Sequence, residues 1–215
     1  GDSVQFVRYA PMVAKLGARV VLEVPERVRP LLATMNGVDQ LIGKDDELPA
    51  FDYHCPLMSL PLAFKTTLET IPTSTPYLMI SPSRLAEWSQ RLDTSSRPCV
   101  ALAWRGSPNN TNNHIRSTRL EDIAPHLSPE FDWLCLHHDL DKSERQLVKS
   151  LPHLNAPLDK DTNLEDAAAV CALSDVVVSV DTIFAHVAGA LGKTSLVMLP
   201  FTPDWRWMLD RADSP

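Results

Sequence analysis

The sequence predicts an α/β protein of two doubly wound Rossmann-like domains facing each other across a cleft, and three observations carry that expectation. Residues 175–192 (DVVVSVDTIFAHVAGALG) read as a buried strand, a polar turn and a helix, and a further apolar run follows at 195–199. Strand, helix, strand is the unit of a parallel sheet. The same alternation recurs in two consecutive series along the chain. Between the series, at 71–98, proline, serine and threonine cluster, interrupted only by a helical pattern at 84–92. The expected division is therefore 1–93 for a first domain and 94–215 for a second.

The first series opens on a helix at 4–16, with Asp2 or Ser3 as its cap and Gly17 as its end. A strand at 18–24 follows. A helix is expected at 25–35, because Pro25 is tolerated in a first turn and Gly37 stands beyond the end. Positions 38–42 and 52–57 read as short strands or extended pieces, and 61–68 as a helix. A helical start is unusual here, since the turn at Gly1-Asp2 ought to follow a strand. The last residues, DWRWMLDRADSP, begin a helix and stop. The expectation is a piece trimmed on both sides, without its first strand and its terminal helices.

The second series begins with the buried strand CVALAW at 99–104. A polar, Asn-rich loop at 107–117 precedes Thr118-Arg119-Leu120-Glu121, a capping box for a helix reaching Leu127. A strand at 131–137, a charged amphipathic helix at 142–151 and a second box, Thr162-Asn163-Leu164-Glu165, before a helix ending near Leu173 complete the approach to the 175–192 unit. There Val176 to Val180 are apolar or small, as a strand covered on both faces requires. Asp181 and Thr182 are favoured cap types, and Gly192 closes the helix that follows. No short-period repeat is present.

Composition narrows the partners. The 215 residues are 44% hydrophobic, ordinary for a globular core, and carry a formal net charge of -7. An acidic balance argues against nonspecific binding to nucleic acid or to an anionic membrane surface, because both need a basic face. No apolar run reaches spanning length, so no membrane insertion is expected. Cys55, Cys99, Cys135 and Cys171 lack CxxC spacing and read as reduced core thiols of a cytoplasmic protein.

The turn at 181–184 points to a ligand. In parallel sheets ligands bind outside the carboxyl ends of the strands, where helix N-termini offer N–H groups and partial positive charge. The ligand so implied is anionic, most simply a phosphate. Thr182 can donate its hydroxyl to it, and the backbone N–H groups of Ile183 and Phe184 point the same way. Asp181 would repel a phosphate; it either caps the helix or holds ribose hydroxyls. His186 lies one turn beyond Thr182 on the same face, and taken alone it reads as a satisfied core histidine.

Four motifs in order, G-D-x-x-Q-F-x-R-Y-x-P at 1–11, W-x-G-x-P ending in R-S at 104–117, D-T-x-x-A-H-x-A-G-A-L-G at 181–192 and P-D-W-R-W at 203–207, resemble the glycosyltransferases related to the heptosyltransferases, glycosyltransferase family nine. They look most like the catalytic modules that follow tetratricopeptide repeats in bacterial proteins. The resemblance implies a GT-B architecture, with the acceptor side in 1–93 and a nucleotide-sugar donor bound mainly by 94–215. It also implies inverting transfer to an acceptor hydroxyl, on a glycan or a protein, without a metal or another cofactor. Asp2, in the G-D turn, becomes the general base; its other reading is a helix cap. Arg105, His114, Arg116, Ser117, Asp181, Thr182, Ile183, Phe184 and His186 become donor contacts. Arg105 and Arg116 otherwise read as solvated arginines, His114 as a plain loop residue, and Trp205 and Trp207 as packing rather than stacking on a base or sugar. The sequence departs from the family in the loop NNTNNHI at 109–115, which lacks the acidic and extra basic residues expected before R-S.

Two D-x-D patterns, Asp139-Leu140-Asp141 and Asp159-Lys160-Asp161, and the run His137-His138-Asp139 offer metal-ligand types. Each D-x-D lies next to a helix start, where aspartates cap, and adjacent strand histidines point to opposite faces. The expectation is no metal. A nucleotide-sugar epimerase on the same plan, and a noncatalytic nucleotide or sugar binding module, remain open as other readings, since one fold hosts several activities.

Overall fold

A computed structural model describes residues 1–92, 96–208 and 211–215. The expected boundary between 93 and 94 lies outside the described residues.

The chain begins with α1 (Asp2–Phe6), a 3-10 turn at Val7–Tyr9 and α2 (Ala10–Lys15). The unbroken helix expected at 4–16 is interrupted because Pro11 has no N–H for the Val7 carbonyl and its ring crowds that oxygen. Gly1 is the N-cap and Asp2 is already helical, so neither Asp2 nor Ser3 caps this helix. Gly17 closes α2 at φ 87°. The two short strands β1 (Val21–Glu23) and β2 (Gln40–Ile42) pair in parallel, Val21 opposite Gln40. Between them the expected helix at 25–35 shrinks to a 3-10 turn at Glu26–Val28 and α3 (Arg29–Leu32), whose first turn holds Pro30. Residues 52–56 form no strand; α4 (Leu60–Ala63) and α5 (Pro82–Arg91) follow, each with proline in its first turn.

The second half is more regular. In chain order it holds β3 (Cys99–Ala103), α6 (Asn113–Arg116), α7 (Leu120–Ile123), β4 (Asp132–Cys135), α8 (Lys142–Ser150), β5 (Leu154–Asn155), α9 (Leu164–Leu173), β6 (Val176–Val180), α10 (Ile183–Ala190) and β7 (Thr194–Met198). The strands form one parallel sheet in the order β5-β4-β3-β6-β7. The chain winds outward from β3 through β4 to β5, then returns to place β6 on the other side of β3. The strand order therefore reverses between β3 and β6, the switch point where ligands of such sheets bind.

Alternating side chains divide this sheet between two layers. Leu102 and Cys135 join Trp104, Leu120, Leu127, Leu140 and Leu154 in a cluster with partly buried residues of α7 and α8. Ala101, Ala103, Leu134 and Val177 face the other way, onto α9 and α10. That second cluster also takes in Val4, Val7, Leu22, Leu31, Leu32 and Trp88, so the buried apolar residues of both halves are continuous. The stretch expected as a linker contributes to it directly. Tyr77 and Leu78 donate backbone N–H groups to the Ala190 carbonyl, and the fully buried Trp88 donates Nε1–H to Asp166 Oδ1 at 2.8 Å.

Helix caps correct the sequence reading in two places. The box at 118–121 does not form, because the Thr118 N–H is held by the Trp104 carbonyl and the N-cap is Arg119, without a side-chain bond. The box at 162–165 is displaced by one residue. Asn163 caps α9, accepting from the N–H groups of Glu165 and Asp166, while the Asp166 carboxylate accepts from the Asn163 N–H at 2.8 Å. Thr162 instead closes the turn back to Asp159.

Candidate functional site

The sequence builds the switch point from two strand ends. β6 runs into Asp181 and Thr182, both buried, and Thr182 is the N-cap of α10, its Oγ1 accepting from the Phe184 N–H at 3.4 Å. Ser179 Oγ lies 3.1 Å from the same hydroxyl. Asp181 is therefore not the cap, which removes one of its two readings. Among the described residues no hydrogen-bond partner reaches its carboxylate.

β3 leads into Trp104, Arg105 and Gly106, and the polar loop folds back over that end. The Gly106 N–H donates to Ser117 Oγ at 3.0 Å, and Ser117 Oγ donates to Asn113 Oδ1 at 2.8 Å. The Ser117 hydroxyl is thus occupied in fastening the loop. Its neighbour Arg116 lies against Gly106 so closely that a Cβ at 106 would stand 2.9 Å from Nη2 and 3.0 Å from Nε. Gly106 is the residue that lets this guanidinium lie over the strand end. Arg116 Nε is buried without a hydrogen-bond partner.

His186 is buried one turn into α10, its ring stacked on Trp207 with centroids 5.4 Å apart and planes at 16°. Burial pushes its pKa down to about 3, helped by the surrounding positive charge, Arg206, Arg8 and Arg116 included. The imidazole is neutral at physiological pH. Gly1 approaches it so tightly that a Cβ there would lie 2.8 Å from the ring Cδ2. That contact brings the start of α1, with Asp2, to the α10 face. Asp2 is exposed, and its Oδ1 pairs with Arg206 Nη2 at 3.2 Å. Arg206 Nε and Trp207 Nε1 are, like Arg116 Nε, buried without hydrogen-bond partners. Arg206 Nε lies 3.5 Å from Asp204 Oδ1, close enough for charge attraction but out of line for a hydrogen bond. An open cleft of about 400 Å³ adjoins this group, walled by Gln5, Phe6, Arg8, Trp205, Arg206 and Pro215 among others.

Other sequence candidates lie apart from this cluster. Arg105 points into the opposite layer, where it donates to Glu144 Oε1 at 3.0 Å and Asp139 Oδ1 at 3.0 Å; its charge is already balanced. His114 is exposed, with Nδ1 3.1 Å from the Thr111 carbonyl. His137 is buried and accepts the Trp104 N–H at Nε2, and burial lowers its pKa to about 3, whereas His138 is exposed. Asp139 serves Arg105, Asp141 caps α8 in a box with Glu144, and Asp159 accepts the Asp161 N–H. Among the described residues no three His, Cys, Asp or Glu side chains gather as a metal site. No helix among them is long and apolar enough to cross a membrane. Sequence reasoning missed Arg206 and Arg8; both stand within the motifs quoted above, P-D-W-R-W and G-D-x-x-Q-F-x-R-Y-x-P, which was the available signal.

No protein-family model matches the chain. It is 24% identical to Protein FlbA of Caulobacter vibrioides over 163 residues, 72% of this chain and 27% of FlbA, so it spans about a quarter of that distant relative. Three solved structures share its fold. The Escherichia coli ADP-heptose lipopolysaccharide heptosyltransferase II superposes with a TM-score of 0.59 at 14% identity, covering 91% of this chain and 80% of that one. The glycosyl transferase family 9 structure from Veillonella parvula gives 0.62 at 11% identity, covering 93% and 79%. The E. coli heptosyltransferase WaaC with ADP-2-deoxy-2-fluoro heptose gives 0.52 at 13% identity, covering 94% and 86%. The chain therefore has the α/β fold of these GT-B glycosyltransferases over most of its length.

Proposed function

We propose that the chain binds a nucleoside diphosphate sugar with its diphosphate at the carboxyl ends of β3 and β6, and transfers the sugar with inversion to a hydroxyl of a glycan or protein acceptor. The observation that carries this reading is the set of buried N–H donors without a hydrogen bond: Arg116 Nε beside Gly106, and Arg206 Nε and Trp207 Nε1 beside His186. Buried donors are ordinarily satisfied, and an unmade hydrogen bond of this kind is costly. An anion beside the N-terminus of α10 supplies the missing acceptors and the opposite charge.

Each residue then has a role. Thr182 donates its hydroxyl to the diphosphate, the N–H groups of Ile183 and Phe184 face it along the helix axis, and Arg116 neutralises it in bidentate fashion. Ser117 positions Arg116 through the loop, and Asp181 takes the ribose hydroxyls. His186, neutral, presents its ring edge to the donor while Trp207 covers its face. Arg105 stays outside the contact set, because its guanidinium is engaged by Glu144 and Asp139, whereas His114 keeps Nε2 open to a donor while Nδ1 rests on the Thr111 carbonyl. Asp2 accepts the proton of the acceptor hydroxyl as that oxygen attacks the anomeric carbon. The bond from that carbon to the diphosphate breaks, and its electron pair leaves with the diphosphate. Guanidinium and helix dipole supply the positive charge, so the proposal needs no metal.

In this reading 1–93 carries the acceptor and 94–215 the donor, and the adjoining cleft lies on the acceptor side. We extend the proposal to a cytoplasmic module of a tetratricopeptide-repeat protein; all four cysteines are free, as in a reducing compartment, with Cys99, Cys135 and Cys171 in the core and Cys55, against expectation, exposed. The Asp2–Arg206 pair favours a second reading, a noncatalytic binding module, since it occupies the base. Release of nucleoside diphosphate from a nucleotide-sugar panel, with and without acceptor extract and in the presence of EDTA, separates the two. Acceptor-dependent release that EDTA leaves intact and Asp2→Asn removes supports transfer. Tight binding with no release supports the module, and isomerised donor without acceptor an epimerase.

A further inference from the structure

Arg206 borders both sides of the candidate site. Its Nη2 is held by Asp2 Oδ1 at 3.2 Å, its buried Nε makes no hydrogen bond and has only Asp204 Oδ1 at 3.5 Å for charge attraction, and its charge is felt at His186 on α10. The side chain is 14% exposed, whereas that of Asp2 is 56% exposed. Such a pair, with one partner in water, is weakly held. A diphosphate carries more than one negative charge and offers a guanidinium two parallel hydrogen bonds, which a single carboxylate oxygen in water does not match.

We propose that Arg206 is a second arginine of the donor site, stored on Asp2 until a diphosphate takes it. The exchange frees Asp2 Oδ1, so arrival of the donor exposes the base that the transfer needs. This rests on the site proposed above, and adds to it a residue and an order of events. Before the donor binds, Oδ1 of the base is held by the Arg206 charge. Once the donor is bound, Arg206 Nη2 and Nε face its phosphate oxygens and Asp2 is unpaired. The order is donor first, because the donor captures the guanidinium and shifts the equilibrium toward unpaired Asp2; a ligand does so only through a difference in its contacts with the two states.

Inorganic pyrophosphate is the probe, since it carries the diphosphate without a base or a sugar. Its affinity is measured by calorimetry on the 215-residue chain for wild type, Asp2→Asn, Arg206→Ala, Arg206→Lys and the double variant Asp2→Asn/Arg206→Ala. Asp2→Asn is expected to tighten pyrophosphate by about three- to fivefold, the factor released when an exposed ion pair no longer competes. Arg206→Ala is expected to weaken it by about tenfold. Arg206→Lys keeps the charge and lies between the two. The decisive value is the double variant, which should bind no better than Arg206→Ala alone. If the Asp2→Asn gain persists without Arg206, it is only the removal of a nearby negative charge, and the proposal is overturned; no gain in Asp2→Asn overturns it equally. Arg116→Ala in the same series reports on the site itself. Wild-type affinity in that variant refutes the switch-point site, while the Asp2–Arg206 cycle still stands or falls on its own numbers.

Discussion

Between Cys99 and Met198 five parallel strands lie between two layers of helices, and α8, α9 and α10 each start on a side-chain cap. Between Asp2 and Arg91 there are two strands of three residues and a string of short helices, with Pro11, Pro30, Pro61 and Pro82 each in a first turn. The first half does not close a core of its own. Val4, Val7, Leu31, Leu32 and Trp88 complete a cluster whose other side is α9 and α10. The difference shows where precision is required. The regular half holds Thr182 and Arg116 at helix ends and His186 one turn into α10, and the irregular half brings Asp2 to that face because α1 rests on α10.

Breaking that dependence should have the largest effect. Trp88 is fully buried and ties α5 to Asp166 of α9, so Trp88→Ala should cost about 3–5 kcal/mol in urea unfolding. The halves should still unfold in one transition; two separated transitions in wild type would mean that each has its own core.

Acid sharpens the same comparison at the sheet. His137 titrates near its ordinary value when unfolded but at about 3 when buried under Trp104, so the unfolded state binds more protons between those values. Stability is fully present above about pH 6.5 and is lost as pH falls, by up to about 1.4 kcal/mol per pH unit for this group. His186 acts with the same sign. Unfolding measured from pH 7.5 to 5 should show the loss, and His137→Gln should flatten the slope by close to one proton. An unchanged slope would mean that His137 does not titrate this way.

A smaller effect separates two caps. Asn163→Ala should cost about 1 kcal/mol, whereas Thr118→Ala should fall within about 0.5 kcal/mol of wild type, because Asn163 caps and Thr118 does not. The reverse order in thermal unfolding would restore the capping box read from the sequence.

What the sequence revealed follows the same division. The run Val176 to Val180 and the turn Asp181-Thr182 were legible because a strand buried on both faces and a helix N-terminus leave local patterns. The R-S motif singled out Arg116 and Ser117, and the structure lays both against Gly106 at the end of β3. The break at Val7–Tyr9 was missed although Pro11 is visible, because a proline is equally welcome in a first turn. The cap at 163 was misread by one residue, since Thr162, Asn163, Glu165 and Asp166 satisfy either register until Asp159 claims the Thr162 hydroxyl. β5, two residues long, leaves no periodicity. Asp2 read equally well as cap or base, and its contact with Arg206, far along the chain, is invisible to any local pattern. The same holds for Arg105, whose partners Glu144 and Asp139 decide its direction.

The central claim is that a diphosphate binds where β3 and β6 end, and affinity tests it most directly. ADP, GDP and UDP are titrated against the wild-type chain, Arg116→Ala, Thr182→Val and Gly106→Ala, with EDTA present throughout. At least one nucleotide should bind wild type and lose about tenfold or more in Arg116→Ala, the scale of a lost bidentate charge contact. Gly106→Ala should lose a similar factor, because its Cβ meets the Arg116 guanidinium and the Asn113 side chain that holds Ser117. Thr182→Val should lose less, while thermal stability shows each variant folded. Nucleotide affinity equal to wild type in Arg116→Ala and Thr182→Val alike would contradict the account.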